Sequence, residues 1–330
     1  VHADLPEDQL VAYRSAVADP GDFDEFWSQT LTEARSRSLD TSIQPVTCSL
    51  QTLEVYDLRF TGADGDRVAA WLRLPKQRDG NLPMVVEFDG YGKGRGRPEQ
   101  NLLWASAGYA HLELDTRGQS WSGWTSDTAD PAPSAPHMPG MLTKGIRDRD
   151  TYYYRRVFID AVRAFDTLPE LPGVDPSRAY ALGTSQGGGI ALAATGLSDR
   201  VCGLIARVPF LCDIPRAIRI TDAHPYRELI DYLRIYRDQD AAALETLAYF
   251  DGVNFARRAR VPALFSVGLM DPVCPPSTVY SAHAAYAGPK TLDVWRYSGH
   301  EGGGIDDDLS ALRTLGSWAH SPQMLAQILS

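Results

Sequence analysis

Apolar residues along the chain follow two spacings, which predict leading helices and then a series of short strands. Residues 7–17 and 22–36 have the spacing of amphipathic helices, and Asp22 is a candidate N-cap for the second. Eight short apolar runs follow and predict strands at 52–60, 68–75, 83–88, 109–114, 178–183, 201–208, 261–268 and 291–297. The first two alternate apolar and polar residues around a turn rich in Gly and Asp, which predicts an antiparallel pair.

Helical patterns separate most of the later runs, which is typical of a parallel sheet covered on both faces. They lie at 98–107, 151–168, 186–197, 276–286 and from 307 onward. We expect one α/β domain over residues 1–330, with a mostly parallel sheet of eight strands and a helical extension at 1–50. Two or three helices at 209–258 are expected as an insertion between the sixth and seventh strands. Residues 115–150 lack periodicity, and such stretches are usually functional or flexible.

The net charge and the cysteine content indicate which partners and which cellular compartment to expect. The formal charge is -10, and the densest basic stretch, "KGRGR" at 93–97, is short and interleaved with glycine, so we expect neither a nucleic-acid nor a membrane partner. The four cysteines lack CxxC spacing, which predicts a reduced, cytoplasmic protein without a metal site. We expect no signal peptide, although a processed, exported chain would look the same.

The stretch "YALGTSQGGG" at 180–189 places Ser185 between Gly183 and Gly187, directly after the fifth predicted strand and before a predicted helix. This GxSxG context is that of a nucleophile elbow, a sharp turn that exposes a serine hydroxyl at the carboxyl end of a strand. Side chains two residues before and after the serine would collide in such a turn, which accounts for both glycines. The alternative is an ordinary strand–helix turn that contains a serine.

A nucleophilic serine needs a base, and among seven histidines only His300, in "YSGHEGGG", directly follows a predicted strand. The others lie at the start of the chain, within a strand, on helices or in irregular segments: His2, His111, His137, His224, His283 and His320. The acid that orients the imidazole should lie between serine and histidine in chain order. Asp271, at the end of the seventh strand, meets this condition, although it could instead cap the next helix.

Two backbone N–H groups are candidates for an oxyanion hole, each worth roughly 3 kcal/mol of barrier. One belongs to Gln186, the residue after the serine, and the other to Tyr91 in the loop "FDGYGKGRG" after the third strand. A phosphate-binding loop is excluded because Lys93 is followed by glycine and not by Ser or Thr. Together these residues predict acyl transfer by attack on a carbonyl, through an acyl-enzyme that water hydrolyses.

Three short motifs resemble the signatures of the acetyl xylan esterase/cephalosporin C deacetylase family, carbohydrate esterase family 7. They are "RGQ" at 117–119, "GTSQG" at 183–187 and "HE" at 300–301. The segments "DLPEDQLVAYR", "DFDEFW" and "YYYRRVFIDAVRA" are also similar to that family, so the resemblance covers roughly residues 4–325. It implies an α/β-hydrolase fold and an esterase that removes acetyl groups from xylo-oligosaccharides, small acetate esters and cephalosporin C. It also implies no cofactor and a homo-hexamer.

The resemblance also implies a role for each matching residue. Ser185, Asp271 and His300 would be the catalytic triad, and Tyr91 and Gln186 the oxyanion donors. Arg117, Gln119 and Glu301 would be structural residues. We also expect Tyr91 and Trp124 to contact substrate, although Trp124 belongs to no family motif.

Two departures from the family pattern bear on substrate preference. Asp89 stands where the family usually has histidine, either as a charge that disfavours anionic substrates or as a structural hydrogen-bond acceptor. The sequence "SWSGW" replaces further glycine after "RGQ", so Trp121 and Trp124 either narrow the acyl side of the pocket or pack within the loop. A broad carboxylesterase or lactone hydrolase, and an inactive hydrolase fold used for binding, remain alternatives.

Overall fold

A nine-stranded sheet forms the centre of the protein in this computed structural model, which describes residues 4–319. The strands are β1 (Ser42–Pro45), β2 (Leu53–Thr61), β3 (Arg67–Pro75), β4 (Leu82–Phe88), β5 (Ala110–Leu114), β6 (Val174–Thr184), β7 (Gly203–Arg207), β8 (Ala263–Gly268) and β9 (Lys290–Trp295). Their order is β1-β2-β3-β5-β4-β6-β7-β8-β9. The pairs from β1 to β3 and between β3 and β5 are antiparallel, and the rest are parallel.

Helices cover both faces of this sheet. They are α1 (Glu7–Ala12), α2 (Phe23–Arg35), α3 (Leu103–Ser106), α4 (Tyr153–Asp166), α5 (Gln186–Leu197), α6 (Ile214–Ile220), α7 (Tyr226–Ile235), α8 (Asp240–Ala248), α9 (Gly252–Ala256), α10 (Pro276–Ala285) and α11 (Ile305–Ala319). The segment between β7 and β8 holds four helices, α6 to α9, where two or three were predicted. No helix within residues 4–319 is long and apolar enough to cross a membrane. His2 and His320 lie outside the described residues.

All eight predicted strands are present, and β1 is the one that the pattern missed. It has only four residues, and their side chains are exposed or half-buried, so they carry no apolar alternation. Its backbone pairs with the edge of β2, with Ile43 opposite Leu58. The sequence pattern gives only a weak signal for a strand that is defined by backbone pairing at a sheet edge.

Burial on both faces explains why the central strands have continuous apolar runs. Successive side chains of a strand point to opposite faces. Val86 of β4 therefore packs in the larger core cluster with Phe158 of α4, whereas its neighbour Val85 packs in the smaller cluster with Leu315 of α11. The sheet is thus enclosed between two layers of helices, and its polar groups emerge where the parallel strands end.

Two predicted helices are shorter in the structure: α1 ends at Ala12 and not at residue 17, and tertiary contacts shorten the helix predicted at 98–107. Of the segment 98–107, only α3 is helical. The guanidinium of Arg73 donates to the carbonyl of Pro98 at 3.0 Å. Asn101 has a φ of 52°, and its amide donates to the carboxylates of Glu87 and Glu113, both at 2.8 Å. These long-range bonds fix the segment as a turn, against its local helical pattern.

Asp22, the predicted N-cap of α2, binds other parts of the chain and not the first turn of its helix. Asp22 precedes α2, but its side chain makes no hydrogen bond to the first turn of that helix. Its carboxylate accepts from Arg149 at 2.7 Å and from the Tyr249 hydroxyl. Asp22 therefore joins the start of α2 to the 115–150 segment and to the helical insertion.

Residues 115–150 form no helix or strand, but buried charges hold this segment against the sheet and α4. The Asp130 carboxylate accepts from Arg156 at 2.8 Å and from Lys144 at 2.5 Å. Burial alone would raise the pKa of Asp130, but the two cations outweigh it and lower the pKa to about 2. The carboxylate of Asp115 accepts three backbone N–H bonds at 2.7–2.9 Å. These contacts favour a fixed functional loop over a flexible one.

Candidate active site

A sharp turn between β6 and α5 holds Ser185 in a conformation that few residues adopt. Its φ is 59° and its ψ is -121°. A Cβ atom on Gly183 would lie 2.1 Å from the carbonyl carbon of Gly187, and one on Gly187 would lie 1.9 Å from the carbonyl oxygen of Phe88. Only glycine fits at both positions. The collision expected from the sequence therefore exists, and backbone strain of this kind is typical of a functional turn.

The side chains of Ser185, His300 and Asp271 form one hydrogen-bonded chain. His300 Nε2 lies 2.9 Å from Ser185 Oγ, and His300 Nδ1 lies 2.8 Å from Asp271 Oδ2. The Asp271 side chain is completely buried, whereas the His300 side chain is 31% exposed. Three residues separated by up to 115 positions thus meet at the carboxyl ends of β6, β8 and β9.

The second oxygen of Asp271 fixes the orientation of its carboxylate. Asp271 Oδ1 accepts the backbone N–H groups of Val273 at 2.7 Å and Cys274 at 2.9 Å. Oδ2 is therefore the oxygen that faces the imidazole. The alternative role as a helix cap is wrong, because α10 begins at Pro276 and its N-cap residue is Pro275.

Close backbone packing brings the histidine loop to the aspartate loop. A Cβ atom on Gly268, the last residue of β8, would lie 2.2 Å from the carbonyl oxygen of Gly299. The N–H of Met270 donates to the carbonyl of Ser298 at 3.0 Å. Glu301 Oε1 accepts the N–H of Gly299 at 2.9 Å, so Glu301 closes the turn that contains His300.

Asp307 also supports this loop, and sequence reasoning missed it because it follows the histidine in the chain. Its side chain is buried, and Oδ2 accepts from the Gly303 N–H at 2.8 Å and from Ser266 Oγ at 3.1 Å. Oδ1 accepts from the indole N–H of Trp295 at 2.8 Å. The sequence feature that could have indicated Asp307 is the run of three aspartates at 306–308, one residue after the glycines at 302–304.

The backbone N–H groups of Tyr91 and Gln186 make no hydrogen bond to any group within residues 4–319. Gln119 links the two segments that carry them. Its amide donates to Gln186 Oε1 at 2.8 Å, and its own Oε1 accepts the N–H of Gly92 at 2.6 Å. Gln186 Nε2 also donates to the carbonyl of Asp89 at 3.2 Å. Both unpaired donors are thus held beside Ser185, where an oxyanion could accept from them.

Comparison with known proteins identifies the family. The family model described as acetyl xylan esterase (AXE1) matches residues 1–311. The chain belongs to this family. The acetyl esterase Axe7A of Xylanibacter ruminicola is 31% identical over 277 residues, which are 82% of this chain and 61% of that protein. The chain thus spans less than two thirds of the length of this curated relative.

Two solved structures agree with the fold along nearly the whole chain. An acetyl xylan esterase from Paenibacillus sp. R4 has a TM-score of 0.90 and 36% identity, covering 95% of this chain and 100% of that one. Acetyl xylan esterase 1 from Thermoanaerobacterium sp. JW/SL YS485 has a TM-score of 0.87 and 32% identity, with the same coverage. The predicted family resemblance and the α/β-hydrolase fold are therefore confirmed.

In this acetyl xylan esterase family member, Arg117 is a buried structural link. Its guanidinium donates to Asp160 at 2.6 and 3.0 Å and to Asp66 at 2.9 Å. Burial alone would lower the pKa of Arg117, but Asp160 and the other carboxylates outweigh it and raise the pKa. The hydroxyl of Tyr153 donates to the Arg117 carbonyl at 2.6 Å. The "RGQ" motif is thereby fixed to α4, with Gln119 directed at the site.

Asp89 and Trp124, two of the residues at which the sequence departs from the family pattern, lie close together. Asp89 is buried, and its carboxylate pairs with Lys93 at 2.7 Å. Burial, with the nearby Glu113, raises the pKa of Asp89. The ammonium of Lys93 lies 3.3 Å from the centre of the Trp124 ring. Asp89 and Lys93 thus form an internal pair, which favours the structural interpretation of Asp89, and the predicted substrate contact Trp124 has one face covered by a cation.

Glu228 is a second residue that sequence reasoning missed, because it lies in the insertion far from any motif. Its buried carboxylate accepts the Tyr91 hydroxyl on Oε1 at 2.7 Å and the Leu142 N–H on Oε2 at 2.9 Å. The Tyr91 hydroxyl in turn accepts the Met141 N–H at 2.5 Å. Burial raises the pKa of Glu228 to about 7. Helix α7 and the 115–150 segment therefore both hold the oxyanion loop.

We expect Glu228→Gln to lower kcat by roughly 10-fold with little change in KM. The two donors occupy different carboxylate oxygens, and an amide offers only one acceptor, so one buried donor is left unpaired at a cost of about 1–3 kcal/mol. The Tyr91 loop would then be less well fixed, and an oxyanion donor acts on the transition state and not on the bound substrate. Steady-state kinetics would test this, with Glu245→Gln, an exposed glutamate of the same insertion, as the control. An unchanged kcat would contradict it.

One group of possible metal ligands within residues 4–319 overlaps the triad. Asp271, Cys274 and His300 each offer a ligand atom, and these atoms lie within 4.8 Å of one another. Asp271 and His300 already bind each other, so a metal ion there would have to replace that hydrogen bond. All four cysteines are free thiols, and burial raises the pKa of the Cys274 thiol.

Proposed function

We propose that this protein is a serine esterase that hydrolyses acetyl esters of carbohydrates, such as acetylated xylo-oligosaccharides, through an acetyl-enzyme. The observation that carries the proposal is the position of His300, whose two ring nitrogens lie 2.9 Å from Ser185 Oγ and 2.8 Å from Asp271 Oδ2. Membership of the acetyl xylan esterase family and the names of the relatives support the substrate class.

In the first half of the proposed reaction, His300 Nε2 takes the proton of Ser185 while Oγ attacks the acetyl carbonyl. The imidazole can accept this proton in the tautomer whose Nδ1–H donates to Asp271, and the buried carboxylate then stabilises the imidazolium. The unpaired N–H groups of Tyr91 and Gln186 would donate to the carbonyl oxygen as it becomes negative. The imidazolium gives its proton to the departing sugar hydroxyl, and the acetyl group stays on Ser185.

In the second half, water replaces the sugar. His300 Nε2 takes a proton from this water, which attacks the acetyl carbonyl, and the same two N–H groups would stabilise the second tetrahedral intermediate. The proton returns to Ser185 Oγ as acetate leaves. Every proton transfer uses Nε2 of His300, so this one imidazole serves as base and acid in both halves of the reaction.

Acyl-chain selectivity distinguishes this proposal from a broad carboxylesterase or lactone hydrolase. A series of p-nitrophenyl esters, measured beside acetylated xylo-oligosaccharides, should give a strong preference for acetate over butyrate and release acetate from the sugars. Similar kcat/KM for acetate and butyrate, with no acetate release from the sugars, would favour the broad esterase. No hydrolysis of any ester would favour an inactive binding protein.

Three finer features remain predictions of this proposal. Activity on cephalosporin C and a hexameric assembly follow from the family resemblance. A cytoplasmic location follows from the four cysteines, all of which are free.

A further inference from the structure

Trp121 is anchored to the oxyanion loop but remains open to solvent. The N–H groups of Trp121 and Ser122 both donate to the carbonyl of Gly92 at 2.9 Å. The indole lies against this glycine so closely that a Cβ atom there would be 2.6 Å from the indole nitrogen. Its ring centre lies 5.3 Å from that of Tyr91, edge to face. Nevertheless, Trp121 is 52% exposed, so it is fixed in place without being covered.

A cavity of about 380 Å³ opens beside this indole. It is lined by Trp121, Pro139, Gly140, Met141, His224 and Glu228. Its volume lies in the range of small-ligand sites. Both oxygens of Glu228 are engaged by Tyr91 and Leu142, so its carboxylate shapes the wall. His224 is exposed and is the polar side chain at the rim that remains available to a ligand.

The cavity is positioned for the alcohol part of an ester. Three of its lining residues, Trp121, Met141 and Glu228, contact the Tyr91 side chain. The cavity therefore lies beside the loop that carries a proposed oxyanion donor. It is far larger than the methyl group of an acetyl ester requires, whereas the sugar that carries the acetyl group must extend away from Ser185 toward solvent. The exposure of Trp121 fits that outer side and not an enclosed acyl pocket. Trp124 is a poorer candidate because Lys93 covers one face of its ring.

We propose that Trp121 is a platform for the sugar ring of the ester, with the cavity between Trp121 and residues 139–141 holding the pyranose and His224 contacting its hydroxyls. A pyranose has an apolar face of C–H groups, which can pack on an aromatic face, and equatorial hydroxyls, which need polar partners at the edge. This assignment rests on the proposed function. It makes Trp121 a specificity-determining residue for the alcohol side of the substrate.

The test compares two acetate esters. In acetylated xylobiose the alcohol part is a sugar, whereas in ethyl acetate it has no ring. Trp121→Ala should raise KM for acetylated xylobiose by about 5- to 10-fold, the size of one aromatic contact, and leave kcat/KM for ethyl acetate within about 2-fold. Trp121→Phe, which keeps a smaller ring, should lie between. Tyr297→Ala is the control, since this residue is 88% exposed and lines a different cavity.

Equal losses on both substrates would overturn the assignment, because they would show that Trp121 only supports the oxyanion loop, and so would no loss on either. Binding can be measured without hydrolysis, by isothermal titration calorimetry of Ser185→Ala with acetylated xylobiose. The same titration with Trp121→Phe added should bind more weakly. If the wild type hydrolyses neither ester but this titration shows the predicted difference, the esterase proposal fails while the sugar platform stands.

Discussion

Replacing Ser185 with alanine should lower the rate of ester hydrolysis by roughly 10⁴- to 10⁶-fold while the protein stays folded. The hydroxyl oxygen, 2.9 Å from His300 Nε2, is the atom that attacks the carbonyl in the proposed reaction. Alanine removes the oxygen and keeps the Cβ atom, so the turn and its hydrogen bonds are preserved. Steady-state kinetics with p-nitrophenyl acetate measure the loss, and circular dichroism checks the fold.

The control for this variant is Ser28→Ala, which removes an exposed serine on α2 and should retain wild-type activity. Substantial hydrolysis by Ser185→Ala, after contamination by wild-type enzyme has been excluded, would show that another group makes the attack. The triad mechanism would then be wrong even though the fold is correct.

Replacing Asp271 with asparagine should lower kcat by on the order of 10⁴-fold, because it reverses the imidazole tautomer. The N–H groups of Val273 and Cys274 both donate to Oδ1, so the asparagine oxygen must take that position. The amide NH₂ then faces His300 Nδ1 and donates to it. The ring proton is forced onto Nε2, which can no longer accept the proton of Ser185.

A matched variant separates this effect from a general loss of negative charge. Asp306→Asn removes an exposed carboxylate six residues from His300, in the first turn of α11, and should change kcat by less than about 2-fold. If Asp271→Asn kept its activity within tenfold of wild type, Asp271 would not set the tautomer, and the role of this residue would be limited to packing.

The sequence allowed the fold and the partners of Ser185 to be predicted because their signals are local. Apolar runs mark the strands, and Ser185, Asp271 and His300 follow β6, β8 and β9 within five residues of the strand end. Parallel strands place their carboxyl ends at one edge, so chain order alone suggested that these residues meet. Strand β1 was not predicted because it lies at the sheet edge and none of its side chains is fully buried.

Side chains that act through long-range contacts could not be predicted in the same way. Glu228 lies 137 positions from Tyr91, on an amphipathic helix where a glutamate usually faces solvent. From the sequence, Trp124 was expected to contact substrate, whereas we propose that contact for Trp121 of the same five-residue stretch. The two residues differ in their surroundings, because Lys93 covers one face of the Trp124 ring whereas Trp121 is exposed.

Covalent labelling with a fluorophosphonate tests the central claim most directly. The probe reacts with a serine that has been activated by a neighbouring base, and peptide mass mapping then locates the adduct. The account predicts a single adduct on Ser185, with loss of p-nitrophenyl acetate hydrolysis in proportion to its formation. An active enzyme that acquires no adduct, or one whose inactivating adduct lies on another residue, would contradict it.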